Sequence, residues 1–206
     1  MTRKNQKDDI ELFHGYNLFV PTRTIYIGSE SSSDIMIEHG EESGVDHSLS
    51  EKFIKNLLIL ESISEEQIHV IINNPGGDYY HGMAIYDSIK NSKCHITITV
   101  YGHAMSMASI ILQAADVRII SPSSRLMIHY GSMGASPTHS KIFDKWSEEN
   151  KKINYQMEDI YLAKIREKHP GFPINKLRKM LNFDSILSAK EAVEFGLADE
   201  VLNDSK

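Results

Sequence analysis

Apolar and polar positions alternate across residues 96–100, where Thr97 and Thr99 separate Ile96, Ile98 and Val100. The period then changes, because Met107, Ile110, Ile111 and Ala114 recur at helical spacing. The stretch 95–115, HITITVYGHAMSMASIILQAA, thus predicts a buried strand that hands over to an apolar helix at a turn containing Ser106. The same grammar precedes it. Residues 67–73, QIHVIIN, predict a strand, Asn74-Pro75-Gly76-Gly77 a sharp turn, and residues 81–91, with Met83, Tyr86 and Ile89 on one face, a helix. Residues 23–28 predict a first short strand, and 117–121 and 126–128 two more across a Pro122-Ser123-Ser124 turn, with His129 ending the last. Ser48 and Glu51 form an S-x-x-E capping box ahead of Phe53, Ile54, Leu57, Leu58 and Leu60, which predicts a helix to about residue 62. Strands and helices in alternation with short connections imply an α/β domain with a largely parallel sheet.

Residues 137–168 predict one long helix, with Ile142, Trp146, Ile153, Met157, Ile160 and Tyr161 on a stripe and Glu148, Glu149, Lys151 and Lys152 elsewhere. About 28 residues at 1.5 Å each run roughly 40 Å, longer than a domain of this size is wide, so part of the stripe calls for a neighbouring subunit. HPGFP then breaks the chain, 175–181 predict a short helix, and Asn182-Phe183-Asp184 leads into a second capping box, Ser188-x-x-Glu191, in a helix that Gly196 closes. Residues 1–15 are polar and mixed in charge and read as a mobile arm. Residues 29–47 are rich in Ser, Glu, Asp and Gly and read as a surface insertion, with a short hairpin around 35–37.

Composition narrows the class. The chain has 206 residues, 41% hydrophobic and 24% charged, as in a globular protein with a sizeable core. No apolar run approaches the roughly 20 residues of a membrane span, and MTRKNQKDD is charged where a signal peptide needs an apolar core, so a cytoplasmic location is expected. A net charge of -6 without a Lys/Arg cluster argues against nucleic acid. The single cysteine, Cys94, fits a reducing compartment and reads as a small buried residue at a strand start. Ten histidines without metal-ligand spacing leave no metal site to expect.

Ser106 is the candidate nucleophile: at a helix start, unpartnered N–H groups and the macrodipole favour developing negative charge. Taken alone it reads more readily as a helix N-cap. Acyl transfer also needs a histidine to take the hydroxyl proton and a carboxylate to hold the imidazole. His129 and Asp184, each at the end or edge of a predicted element, are placed to serve. Singly, each also has an ordinary reading, as a packing histidine and a helix-capping carboxylate.

Five collinear pieces, INNPGG at 72–77, GMAIYDSI at 82–89, GHAMSMAS at 102–109, SSRLMIHY at 123–130 and DSILSAKEAVEFGLAD at 184–199, resemble the Clp protease proteolytic subunit (ClpP) family of serine peptidases. The resemblance covers roughly residues 20–203 apart from the insertion, and implies a single peptidase domain over 16–203. The implied fold is the α/β spiral of strand-strand-helix units that the family shares with crotonases, with the long helix in a protruding handle. Carried over, Ser106 is the nucleophile, His129 the base and Asp184 the acid; the N–H groups of Gly77 and Met107 form the oxyanion hole. The strand edge beyond Gly77, at Asp78, Tyr79 and Tyr80, pairs with an extended peptide.

The resemblance also implies two stacked seven-membered rings around a closed chamber and unfolded polypeptide substrates. Those substrates would be delivered by an AAA+ Clp ATPase, which uses the ATP, since this chain carries no GxxxxGK[ST] loop and needs no cofactor of its own. The chain departs from the family pattern in having Tyr130-Gly131-Ser132-Met133-Gly134 after the histidine in place of Gln-Pro and a Gly-rich strand, and Phe183 in place of an Arg before the acid. Two other readings are a catalytically weak ring-forming scaffold and a crotonase-type acyl-CoA enzyme. Retention of all three triad residues weighs against the first, and the second leaves those residues unexplained.

Overall fold

Two strands at the centre organise the chain, and their residues show why. In β3 (Ile68–Asn74) every second residue from Ile68 is buried, and in β4 (Ile96–Met105) Ile96, Thr97, Ile98 and Val100 are all buried, as in a parallel strand covered on both faces. A computed structural model of the chain describes residues 3–29, 42–131 and 140–203. In chain order these form α1 (Arg3–Tyr16), β1 (Leu18–Phe19), a 3-10 turn (Val20–Thr22), β2 (Thr24–Ile27), α2 (His47–Ile63), β3, α3 (Tyr79–Lys90), β4, α4 (Met107–Leu112), β5 (Val117–Ile120) and β6 (Arg125–Ile128). The series continues with α5 (Ser140–Lys168), α6 (Ile174–Leu181), β7 (Ser185–Ser188), α7 (Ala189–Phe195) and β8 (Glu200–Val201). The sheet runs β1-β2-β3-β4-β5-β8, with β6 beside β4 and β7 beside β6. Only the β1/β2 and β6/β7 pairs among these are antiparallel, so the mixed α/β architecture with a mostly parallel sheet is as expected.

One edge of β4 is shared by two strands in succession. β5 pairs with residues 97–100 and β6 with residues 103–105. Between them β4 changes course: Gly102 has φ +76, and a Cβ there would lie 2.4 Å from Asn73 Oδ1, at the register shift of β3. The turn that carries the chain from β5 to β6 is held by Ser124 Oγ, which donates to Val100 O at 3.2 Å, and by Ser121 N–H, which donates to the same carbonyl at 3.0 Å. The fork brings the C-terminal ends of β4 and β6 together.

Several local expectations change. Residues 3–16, expected as a polar arm, form a helix whose Phe13 packs edge-on against Phe19 and Tyr26. The cap of α2 is Asp46, whose side chain accepts from Leu49 N–H at 2.8 Å, and not Ser48. The Ser188–Glu191 capping box forms as expected, and Gly196 takes the left-handed conformation that ends α7. The long helix spans 29 residues: Met157, Tyr161, Leu162 and Ile165 are buried, whereas Ile142, Phe143 and Trp146 near its start are exposed. Cys94 is buried and free. The hairpin expected at 35–37 and the segment 132–134 lie outside the described residues. No helix among the described residues is long and apolar enough to cross a membrane.

Asp199 ties the start of β5 to the approach to β8. Burial alone would raise its carboxyl, but Arg118 donates to it from Nη2 at 2.5 Å, from Nε at 3.1 Å and from its backbone N–H at 2.7 Å, and holds it below the usual range. A folded-state value below the unfolded one gives stability that is full above the unfolded value of about 3.9 and is lost as pH falls through the folded value. The difference in Tm between the native chain and Asp199→Asn is therefore expected to be largest near neutral pH and to shrink below about pH 4. A thermal-melt series across that range checks it, and a constant difference would count against the linkage.

Candidate active site

Register alone brings the three candidate residues together. Met105 pairs with Met127 across β4 and β6, so the residues that follow each, Ser106 and the Ile128-His129 end, are neighbours. Ile128 pairs with Ser185 across β6 and β7, so His129 faces Asp184. Ser106 Oγ lies 2.8 Å from His129 Nε2, and His129 Nδ1 lies 2.9 Å from Asp184 Oδ1. An ionised carboxylate only accepts, so Nδ1–H donates to Asp184, and the remaining nitrogen, Nε2, accepts from the serine hydroxyl.

Ser106 occupies the N-cap position of α4 but makes no side-chain cap bond, so its hydroxyl serves the histidine and not the helix. Its backbone, at φ +50 and ψ −121, lies in a region that residues with a Cβ seldom occupy, and such strain collects at working sites. The conformation is held from both sides. Ser106 N–H donates to Met127 O at 2.9 Å, and Ser109 Oγ donates to Ser106 O at 2.6 Å while also meeting the buried Tyr161 hydroxyl.

The turn at Gly76 and Gly77 completes the setting. A Cβ on Gly76, at φ +104, would lie 2.7 Å from both Met105 O and Ser106 Cβ, so only glycine lets the turn approach the serine this closely. Gly77 pairs with Val45: Val45 N–H donates to Gly76 O at 2.6 Å and Asp78 N–H to Val45 O at 2.8 Å. Neither Gly77 N–H nor Met107 N–H donates a hydrogen bond among the described residues.

A cleft of about 520 Å³ opens over the serine. Ser106, Met107, Gly77 and His129 line it with Asp78, Tyr79 and Tyr80, and its outer wall comes from α5 through Trp146, Ile153 and Met157. The expected strand edge at Asp78, Tyr79 and Tyr80 is corrected: Asp78 is the N-cap of α3, accepting from His81 N–H at 3.0 Å, and Tyr79 and Tyr80 are its first helical residues. Side chains there reach the cleft, with Tyr79 Oη donating to Gln156 Oε1 on α5 at 2.7 Å. Trp146, Ile153 and Met157, expected from the stripe to face another subunit or the base of the handle, line the cleft. No group of three or more His, Cys, Asp or Glu suited to a metal ion occurs among the described residues.

A family model described as Clp protease matches residues 17–205. A curated protein of Deinococcus radiodurans, an ATP-dependent Clp protease proteolytic subunit, is 34% identical over 165 residues, covering 79% of this chain and 78% of its own. Another of the same description, from Chlorella vulgaris, is 33% identical over 165 residues, covering 79% of each chain. The chain belongs to the Clp protease family. Membership in the Clp protease family makes it a serine-type peptidase, and the hydrogen-bonded serine, histidine and carboxylate fall within the matched residues.

Sequence reasoning also missed the surroundings of Tyr130. Its hydroxyl donates to the buried Glu158 of α5, and Arg178 of α6 donates to the same carboxylate from Nε at 3.0 Å and Nη2 at 2.9 Å. Burial, the hydrogen bond to Glu158 and that carboxylate's charge push the Tyr130 phenol up to about 12. The signal was present: Glu158 sits on the apolar stripe three residues before Tyr161 and seven before Ile165, where a charge calls for a partner.

Proposed function

We propose that this chain is the proteolytic subunit of an ATP-dependent Clp-type protease and cleaves peptide bonds through an acyl-enzyme on Ser106. The observation that carries the reading is the unbroken hydrogen-bonded chain from Ser106 Oγ, which lines the cleft, through His129 to Asp184. Ser106 Oγ attacks the scissile carbonyl as Nε2 of His129 takes its proton, and Asp184 holds Nδ1–H and stabilises the imidazolium. The N–H groups of Gly77 and Met107, which have no other partners among the described residues, receive the developing oxyanion. Nε2 then returns the proton to the leaving amine, and water repeats the sequence on the ester. Asp78, Tyr79 and Tyr80 contact the substrate from the N-terminus of α3. The crotonase-type reading gives Ser106, His129 and Asp184 no task, and a scaffold has no need of their alignment.

Homo-oligomeric rings, two stacked heptamers, follow in this reading. Ile142 and Phe143 on the first half of α5 support it, since they are exposed within one chain and require cover. Both curated relatives are described as ATP-dependent, and this chain has no phosphate-binding GxxxxGK[ST] loop. The nucleotide therefore belongs to a partner Clp ATPase that threads unfolded chains, and the subunit itself uses no cofactor. A cytoplasmic setting agrees with its one buried thiol.

Because folded proteins do not unfold at useful rates unaided, a closed chamber admits short peptides and excludes them. The purified chain is expected to cleave fluorogenic peptides alone, but a stably folded reporter only with a Clp ATPase and ATP. Rapid digestion of the folded reporter by this chain alone would overturn the chambered reading.

A further inference from the structure

Glu158 is 3% exposed on the face of α5 that also carries Tyr161, Leu162 and Ile165. A carboxylate is retained in such a place only with partners, and those of Glu158 come from two other segments. Tyr130, which donates to Oε1, is the residue after His129; Arg178, which donates to Oε2, lies in α6, just before Asp184. The two segments are also joined directly, since Tyr130 N–H donates to Leu181 O at 2.8 Å. On the far side of Asp184, Ser185 Oγ donates to Met180 O at 2.8 Å. Glu158 is thus the point where α5 grips both the backbone that carries the imidazole and the backbone that carries its carboxylate.

The acid needs such a hold. The Asp184 side chain is 69% exposed and the preceding Phe183 is 78% exposed, so packing around Asp184 itself does little to fix it. Its 2.9 Å contact with His129 depends on how the two backbone segments are set.

We propose that Glu158 is a positioning residue that, through Tyr130 and Arg178, holds His129 and Asp184 at their working separation and links the long helix to the catalytic geometry. This rests on the catalytic reading of Ser106, His129 and Asp184. Glu158 touches neither the serine nor the cleft, and its influence is wholly through the two segments. Displacements on the order of 1 Å at catalytic groups cost up to about 10²-fold in rate. Loss of the grip should therefore lower kcat and leave KM nearly unchanged.

The test uses the assembled protein carrying Tyr130→Phe, which removes one hydroxyl at constant ring volume, and Glu158→Gln, whose amide presents donors to the Arg178 or Tyr130 donors. Ser106→Ala is the control. Peptide hydrolysis gives kcat and KM, and a fluorophosphonate gives both the rate of labelling and the final fraction labelled. Tyr130→Phe is expected to lower kcat roughly tenfold with KM within about twofold. Glu158→Gln should lower it at least as far, and the double variant no further than Glu158→Gln alone. The labelling rate should fall in step with kcat while the labelled fraction stays complete, because the serine is present but poorly activated.

A purely structural role would reduce the labelled fraction and leave the rate per labelled site unchanged, which overturns the proposal. So would kcat within twofold of the native value in both single variants when Ser106→Ala is inactive. An active Ser106→Ala would instead remove the catalytic reading itself, and the positioning role with it.

Discussion

Peptide hydrolysis by Ser106→Ala is expected to fall by about 10⁶-fold in kcat, the loss typical of removing a nucleophile that acts as one unit with its base. The assembly should survive. Ser106 Oγ makes no cap bond to α4 and, among the described residues, is bonded to His129 alone, while the links that hold the turn in place are the backbone N–H to Met127 O and the Ser109 hydroxyl to Ser106 O. Alanine keeps both links and inherits the same positive φ, so the fold gains no relief and loses little support. Activity is read with a fluorogenic peptide and assembly by sedimentation. The pure variant retaining full activity would end the assignment. A variant that was inactive and also dissociated would show that the hydroxyl stabilises the assembly as well.

How much of this was legible in the sequence depends on how clear a pattern each element carries. β4 carries five residues of clear alternation, β3 is a Val/Ile-rich run closed by Asn74-Pro75-Gly76-Gly77, and the apolar stripe of α5 repeats over several turns, so all three were evident. β7 reads Ser-Ile-Leu-Ser, without alternation, and runs straight into the Ser188 capping box, while β1 and β8 have two residues each, so the strand that places Asp184 opposite His129 was invisible to patterning. Asp184 was legible only as a carboxylate at the edge of a predicted element, to which the family resemblance added weight, whereas Ser106 and His129 marked the ends of predicted strands.

The turn chemistry was partly misread. Ser48 and Glu51 satisfy the capping-box spacing, but Asp46, two residues earlier, is equally able to cap and takes the position. Asp78 is likewise a capping residue directly before a helical period, and that signal competed with the expectation of a strand edge after Gly77. The forking of β4 at Gly102 could not be read at all. It depends on which strand lies alongside each half, and that is set by distant pairing and not by local propensity.

Asp184→Asn is expected to lower kcat/KM by between about 10² and 10⁴-fold, less than loss of the serine. The carboxylate can only accept, so it selects the imidazole tautomer with the proton on Nδ1 and leaves Nε2 free to take the serine proton. An asparagine in the same place turns its NH₂ or its oxygen toward Nδ1 with little preference. When the NH₂ faces the ring, Nδ1 must accept, the proton moves to Nε2, and Ser106 loses its base. The carboxylate also stabilises the imidazolium that forms during attack, and a neutral amide does not. Water tempers both effects, because the Asp184 side chain is 69% exposed and solvent can hydrogen-bond Nδ1 in its stead. This is the reason to expect a loss short of the full value for a buried acid. His129→Ala removes the base itself and should approach the serine variant. Steady-state rates for the three single variants, with the labelled fraction measured for the two that keep the serine, would establish the order. If Asp184→Asn proved harmless while substitution of another carboxylate abolished activity, the hydrogen bond from His129 to Asp184 would be incidental and the acid would have to be sought elsewhere.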